Sequence, residues 1–394
     1  MDYRKVIELQ VVTMNFKINL FLFLVVFSFP LIGYAQEPNV EIEYLFKIGE
    51  GLEFGDPGYP LSPRSVTSDL EGNIFVSDYR KKTVDMYSKE GDYLKSFGRG
   101  GRGPGEFNRL SAIATDSKGR LLVLDRMSFK LARFNTDDGD VEEHFFEDMN
   151  EINMMTLVPL EGERFAGIYV ELARLSEAPD TLKAIRVYEF GEGEKQSSHY
   201  EIYKHLFDKS KPFEEYIGGG LGHSLTSLGD QKVAVSHRTY KGKISIVNLT
   251  NNEVLDTQSP QVQEPYYLIF ENESLEELTE KGISGLASRS GRGKSYRYQT
   301  LYYSHLLEGS GKYLFHIYSE NEPEGLFLSK YLEIFSEKGE FKYVTSISDS
   351  FPEKEGLRQG FLHIDENLRL FVRNYYEDRD PEVHVYQLIL NGIN

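Results

Sequence analysis

An all-β ring, a six-bladed β-propeller of four-stranded antiparallel blades, is predicted by three observations. A strand-and-turn pattern occurs twice at a fixed spacing: Asp69 and Asp116, Gly72 and Gly119, and Asp78 and Asp125 are each 47 positions apart. Units of that period cannot bury an apolar face alone and stack on their neighbours. Elsewhere, short runs alternate apolar and polar residues between clusters of Gly, Asn and Asp, as half-buried strands with tight turns require. The last unit is one strand short, while an orphan strand stands at residues 40–48, so the two chain ends can complete one blade and close the ring.

The elements follow in order. Residues 40–48 alternate and stop at Gly49, and the Gly- and Pro-rich stretch 51–63 is a connector. Blade one reads as strands 65–68, 74–77, 83–88 and 93–97, with the turn Asp69-Leu70-Glu71-Gly72-Asn73 between the first two. Five glycines within 98–105 exclude a helix or regular strand and mark a crossing to blade two, at 110–115, 121–124, 130–135 and 141–146. Blade three reads as 154–159, 164–169, 184–190 and 197–203, with a long middle loop at 171–181. Blade four reads as 224–228, 232–236, 242–248 and 253–257. An insertion at about 261–298 follows; 271–281 can hold a short helix, and the Ser-, Gly- and Arg-rich 282–294 reads as loop. Blade five is expected at 301–307, 313–319, 328–335 and 341–346, and blade six at 360–364, 369–374 and 382–389. A tandem of immunoglobulin-like sandwiches would also supply antiparallel strands, but a recurring Asp-x-x-Gly turn suits wedge-shaped repeats better. Five or seven blades are the alternatives, because blade three and the insertion diverge from the pattern.

Residues 1–35 read as a signal peptide: Lys17, the apolar run 18–32, then Gly33-Tyr34-Ala35, with small residues at the last and third-last positions. Residues 1–13 precede a second candidate start, Met14. Residues 36–394 are then a single propeller domain, exported to the periplasm or the extracellular space and free of any membrane span after cleavage. The chain contains no cysteine, which excludes disulfides and thiolate chemistry, and a core of this size does not need them. Its net charge of −18 opposes nonspecific contact with nucleic acid and favours a soluble, monomeric ring.

Arg102-Gly103-Pro104-Gly105-Glu106-Phe107, followed by the strand and turn from Ile113 to Asp125, resembles the inter-blade loop and repeat of NHL-like six-bladed propellers. The whole chain resembles the secreted six-bladed propeller proteins of Bacteroidetes-type bacteria. That resemblance implies the fold; the wider family includes peptide- and RNA-binding modules as well as lyases and hydrolases, so it assigns no single activity.

Antiparallel strand direction puts the loop between second and third strands on the same face as the inter-blade connectors. Arg80, Arg126, His237, Arg238 and Tyr375 are the candidate ligand-binding residues of that face, joined by Arg99, Arg102 and Arg109 from the Gly-rich connector and by Arg289, Arg292, Lys294 and Arg297 from the insertion. Convergent guanidiniums suit carboxylate, sulfate or phosphate groups. Asp78 and Asp125 recur where a side chain can accept local backbone hydrogen bonds. His237 beside Arg238 is the candidate for acid-base chemistry. The histidines lack zinc-site spacing, no Gly-x-Ser-x-Gly elbow occurs, and no cofactor motif is evident, although a divalent metal in the channel stays open. The expected function is a binding module for an anionic glycan, peptide or protein ligand; a lyase or hydrolase on the same face, or a structural scaffold, is the alternative.

Overall fold

The computed structural model describes residues 38–146, 156–170, 183–190, 193–196, 223–229, 231–271, 273–283, 286–291, 294–321, 327–351 and 358–393. These residues form six four-stranded antiparallel sheets, the blades of a β-propeller. The ring lies within Val40–Ile389; a second unit, Met1–Asn39 with Leu390–Asn394, is largely outside the described residues, as is the expected signal peptide. Among the described residues no helix is long and apolar enough to cross a membrane.

Blade one comprises Pro63–Ser68, Ile74–Asp78, Thr83–Tyr87 and Tyr93–Phe97, and blade two Leu110–Thr115, Leu121–Asp125, Lys130–Phe134 and Val141–Phe145. Blade three has Val158–Pro159, Arg164–Val170, Lys183–Glu189 and Gly193–Gln196. Its outer strand thus lies earlier than the expected 197–203, a stretch outside the described residues, because Gly193–Gln196 turns straight back to pair with Val187, Tyr188 and Glu189. Blade four (His223–Ser227, Lys232–His237, Lys243–Asn248, Val254–Gln258) and blade five (Tyr302–Ser310, Tyr313–Asn321, Phe327–Ser336, Phe341–Ser346) follow the expected order. Blade six is built from Arg358–Ile364, Arg369–Tyr375 and Glu382–Asn391, and its fourth, outermost strand is Asn39–Lys47 from the other end of the chain.

First strands of successive blades neighbour one another all the way round, including the first strand of blade six against that of blade one. The core lies between blades, where alternate side chains of one sheet meet those of the next. Phe75, Val84 and Phe97 of blade one pack on Leu110, Val123 and Phe134 of blade two, and similar clusters join two to three, three to four and four to five. Sheets that pack face to face in this way need an apolar stripe on each side, which explains the uninterrupted burial of Ile74–Asp78 and Leu121–Asp125.

The insertion is more ordered than its composition suggests. Tyr267–Glu271, Lys294–Thr300 and Ala287–Gly291 form a three-stranded sheet, so part of the segment read as loop is a hairpin. The tyrosine-rich strand Lys294–Thr300 supplies the β-propensity and buries Tyr298 in the cluster between blades three and four. Helix α1, Leu275–Glu280, starts at Ser274, whose Oγ accepts from Glu277 N (3.1 Å) while Glu277 Oε2 accepts from Ser274 N (2.6 Å), a capping box.

Two sets of contacts close the ring: one within blade six, between the borrowed N-terminal strand and the last strand of the chain, and one between blade six and blade one. Ile48 N donates to Val383 O at 2.9 Å, and the rings of Tyr44 and Tyr386 meet edge to face at 5.6 Å. Phe371, Val383 and Val385 pack on Val66, Ile74 and Val76. Arg369, 6% exposed, donates from Nε to Asp365 Oδ2 (2.7 Å), from Nη1 to Lys89 O (2.9 Å) and from Nη2 to Gly72 O (2.8 Å), bolting blade six to two turns of blade one. Removing one partner of a buried ion pair strands the other, so Arg369→Met is expected to cost about 3–5 kcal/mol. Urea unfolding followed by tyrosine fluorescence measures this; a loss below about 1 kcal/mol, the scale of an exposed pair, would show that the bolt does not secure the seam.

Candidate binding face

The polarity of the ring fixes which loops share a rim. A central cavity of about 600 Å³ is lined by the corresponding segment of all six blades: 67–70, 115–117, 159–161, 227–229, 308–309 and 364–366. These are the C-terminal ends of the first strands with the turns that follow. Six first strands therefore end at one mouth of the channel, and all six begin at the other. In register, Pro63 pairs with Asp78, Leu110 with Asp125, His223 with His237 and Gln359 with Asn374. Each second strand thus ends beside the connector that enters its blade, and Arg126 and Arg238 share the connector rim.

A carboxylate at the end of the second strand organises that rim in blades one and two. Asp78 Oδ2 accepts from Leu61 N (2.7 Å) and Ser62 N (2.9 Å) in the connector, while Oδ1 accepts from Arg80 N and Lys81 N (both 2.9 Å) in the loop. Asp125 does the same with Asn108 N (2.6 Å) and Arg109 N (3.2 Å) on one side and Met127 N (3.0 Å) and Ser128 N (3.1 Å) on the other. One buried side chain thereby satisfies four backbone donors and fixes two loops together. His237 ends the second strand of blade four in the same place: 4% exposed, its Nδ1 accepts from Thr239 N at 3.0 Å. Its geometry is that of a loop anchor.

The Gly-rich connector between blades one and two wraps around Glu106, which accepts from Arg102 N (2.9 Å), Gly103 N (2.8 Å) and Arg99 Nε (2.8 Å). Gly98 has φ +76°, and a Cβ there would lie 2.3 Å from the ring of Phe107, so only glycine lets Phe107 enter the core.

Several predicted cations of this rim are neutralised. Arg80 lies 3.8 Å from Asp380, Lys81 bonds Asp85, and Arg99 pairs with Glu106 at 2.8 Å. Arg297 turns to Glu273 O, and Arg292 lies outside the described residues. Others are not neutralised: among the described residues Arg102, Arg109 and Arg238 make no ion pair, and neither do Arg64 and Arg373, which sequence reasoning missed. Arg373 Nη1 donates to Pro63 O (2.6 Å) and its guanidinium lies 4.3 Å from the ring of Tyr375, while Arg238 lies 4.8 Å from that of Tyr303. The signal for the missed pair was positional, since Arg64 and Arg373 stand at the start of a first strand and near the end of a second.

Like charges meet here. Burial and then Arg109 draw down the pKa of Arg126; burial draws down that of Arg373, Tyr375 opposes this, and Arg64 adds to it. His305, hydrogen-bonded to Ser319 Oγ at 2.8 Å, is pushed down to about 4 by burial, then by His316, Lys330 and Arg238. The opposite face is unlike this one. There Arg120 pairs with Asp116 (2.6 Å) and Glu163 (2.9 Å), Lys118 with Glu163 (2.7 Å), and Arg369 with Asp365. His363 Nδ1 lies 3.1 Å from Glu308; burial lowers its pKa, but the Glu308 carboxylate, joined by Asp365, more than offsets burial and leaves it raised.

Comparison with known proteins agrees with the architecture. The family described as DUF5128, a 6-bladed beta-propeller, matches residues 65–219. The structure of a DUF4221 family member from Bacteroides vulgatus ATCC 8482 is similar over 89% of this chain and 99% of its own, at 10% identity and a TM-score of 0.50. A protein from Bacteroides fragilis NCTC 9343 is similar over 89% of this chain and 95% of its own (13% identity, TM-score 0.47), and the RRP9 WD40 repeats over 90% and 100% (9%, 0.46). At 10% identity the likeness to the DUF4221 family member shows the fold alone. That fold is compatible with a binding or protein-interaction scaffold.

A histidine whose folded pKa lies below its unfolded value binds its proton more readily in the unfolded chain, so stability falls as pH drops from 6.5 to about 4. For His305 this amounts to on the order of 3 kcal/mol. His305→Asn is expected to flatten that part of the urea-stability profile between pH 7 and pH 4.5, relative to the parent, by this order of magnitude. Superimposable profiles would place the titrating group elsewhere.

Proposed function

We propose that the connector rim binds an anionic ligand, a glycan or a peptide, and that the chain is a binding module of NHL-like repeat type acting outside the cytoplasm. The observation that carries this reading is the set of guanidiniums from blades one, two, four and six, Arg64, Arg109, Arg238 and Arg373, that share one rim without a carboxylate partner among the described residues. Cations held near one another cost free energy through mutual repulsion and desolvation, and an anionic ligand removes that cost. On the opposite face the same residue types are spent on carboxylates. Arg126, Arg238 and Tyr375 are the ligand contacts of this reading; Arg80 is assigned the outer edge, where Asp380 competes for it, and His237 holds its loop. Export rests on the apolar run 18–32 and its small-residue end, and is consistent with a chain lacking cysteine. Catalysis by a lyase or hydrolase draws no support from His237, whose Nδ1 is engaged with its own loop.

The test is binding of fluorescently labelled polyglutamate and oligogalacturonate, followed by anisotropy at increasing salt. Binding that weakens as salt rises, and an Arg126→Ala/Arg238→Ala double variant weaker by about tenfold or more, is the expected result. A double variant that binds both probes as the parent does, with an unchanged fold by circular dichroism, would refute the basic rim as the binding face.

A further inference from the structure

We infer that the cleft between blades one and two is a subsite for an acidic peptide segment in which a large apolar side chain neighbours Asp or Glu; this rests on the reading of the connector rim as anion-binding. The cleft, about 560 Å³, is walled by Tyr79, Met127, Phe129 and Phe145 and rimmed by Arg102 and Arg109. Tyr79, Met127 and Phe145 are 40%, 61% and 61% exposed, a concentration of apolar surface that water solvates poorly, set directly beside guanidiniums that make no ion pair among the described residues.

Its walls are fixed before any ligand arrives. Met127 and Ser128 hang from Asp125 by their backbone N–H groups, and Tyr79 N donates to Ser62 O at 3.0 Å. Beneath them Lys130, 1% exposed, is committed to Glu143 (2.7 Å), Glu106 O (2.8 Å) and Gly103 O (3.3 Å). A rigid wall loses little freedom on binding.

The polar inventory of the cleft separates peptide from glycan. Asn108 Nδ2 donates to Ser128 Oγ (2.9 Å), and Ser128 Oγ donates to Asp125 Oδ2 (2.8 Å), so the amide and the aliphatic hydroxyl are already engaged with each other and with the anchor. Among the described residues no carboxylate lines the cleft. A sugar ring entering it would bury hydroxyl donors with few acceptors to receive them, at a desolvation cost. Carboxylates need only donors, which Arg102 and Arg109 supply, and an apolar side chain needs only the wall. Two guanidiniums on one cleft, Arg102 and Arg109, match more than one carboxylate along a segment rather than a single chain end.

The experiment compares three labelled probes of equal charge by anisotropy: a peptide alternating Glu and Phe, one alternating Glu and Ser, and an oligogalacturonate. The Glu/Phe peptide is expected to bind about tenfold or more tightly than either of the others. The exposed-site variant Met127→Ser/Phe145→Ser should erase that preference while leaving the salt-sensitive affinity for the Glu/Ser peptide unchanged, and Arg109→Ala should weaken both peptides. Equal salt-sensitive binding of all three probes, or tighter binding of the oligogalacturonate, overturns the subsite while the basic rim stands. Absence of binding by every probe overturns both.

Discussion

Six wedge-shaped sheets share one axis only if the last of them is completed by a strand from the far end of the chain. Asn39–Lys47 supplies that strand, and the seam it closes is secured where covalent continuity is missing. Arg369 reaches across it to two backbone carbonyls of blade one while Asp365 neutralises its charge. A buried guanidinium is tolerable here because all three of its nitrogens find acceptors. Without disulfides, this combination of a borrowed strand, an apolar cluster and one saturated Arg converts an open array into a ring. The common rim follows from it, since only in a closed ring of uniform polarity do loops far apart in sequence face one another.

The two mouths of the channel then diverge electrostatically for a reason visible at residue level. On the turn face, Asp116 and Asp365 each stand four residues before an Arg, so the turn that reverses the chain also neutralises the cation it displays. On the connector face the corresponding carboxylates, Asp78 and Asp125, are consumed by backbone N–H groups and keep little capacity for a side chain. The cations that follow them are not neutralised by these carboxylates: Arg80 and Lys81 reach Asp380 and Asp85 instead. Arg126, immediately after its anchor, is held near Arg109 by the very residue that ties both loops together. An acidic chain thus carries a basic rim through the allocation of its carboxylates.

The repeat was legible because its constraints are local. A turn needs Gly72 or Gly119 at positive φ and an Asp that caps it, and both leave a periodic mark on the sequence. In blade six the mark fades: Leu368 takes the place of that glycine at φ +60°, a conformation a leucine adopts only when surrounding structure imposes it. The hydrogen bonds of Arg369 on either side of the turn provide that imposition. The hairpin at Ala287–Gly291 was hidden for a related reason, since its Ser- and Gly-rich strand forms only against the tyrosines of its partner. Of the rim, the loop residues could be placed from strand direction, but which cations would be neutralised could not. Arg80 and Asp380 are three hundred positions apart on the sequence and adjacent across the seam, and no pattern in the sequence announces such a pairing.

The anchor position shows how one scaffold can vary what it presents. Asp78, Asp125, His237 and Asn374 occupy one place in four blades, and the first three accept backbone donors from the loop they end. A carboxylate there grips the loop and the connector at once, while the imidazole of His237 accepts from Thr239 N in its loop. In blades one and two the Asp ties loop to connector, and it is between these blades that exposed Met127 and Phe145 stand beside Arg102 and Arg109. Exposing apolar side chains on a mobile loop would invite collapse onto the surface; holding them apart by four backbone hydrogen bonds to one buried Asp keeps the cleft open. Asp125, which recurs in the sequence as an acceptor of local backbone hydrogen bonds, is thus the fastening that lets its neighbours face solvent.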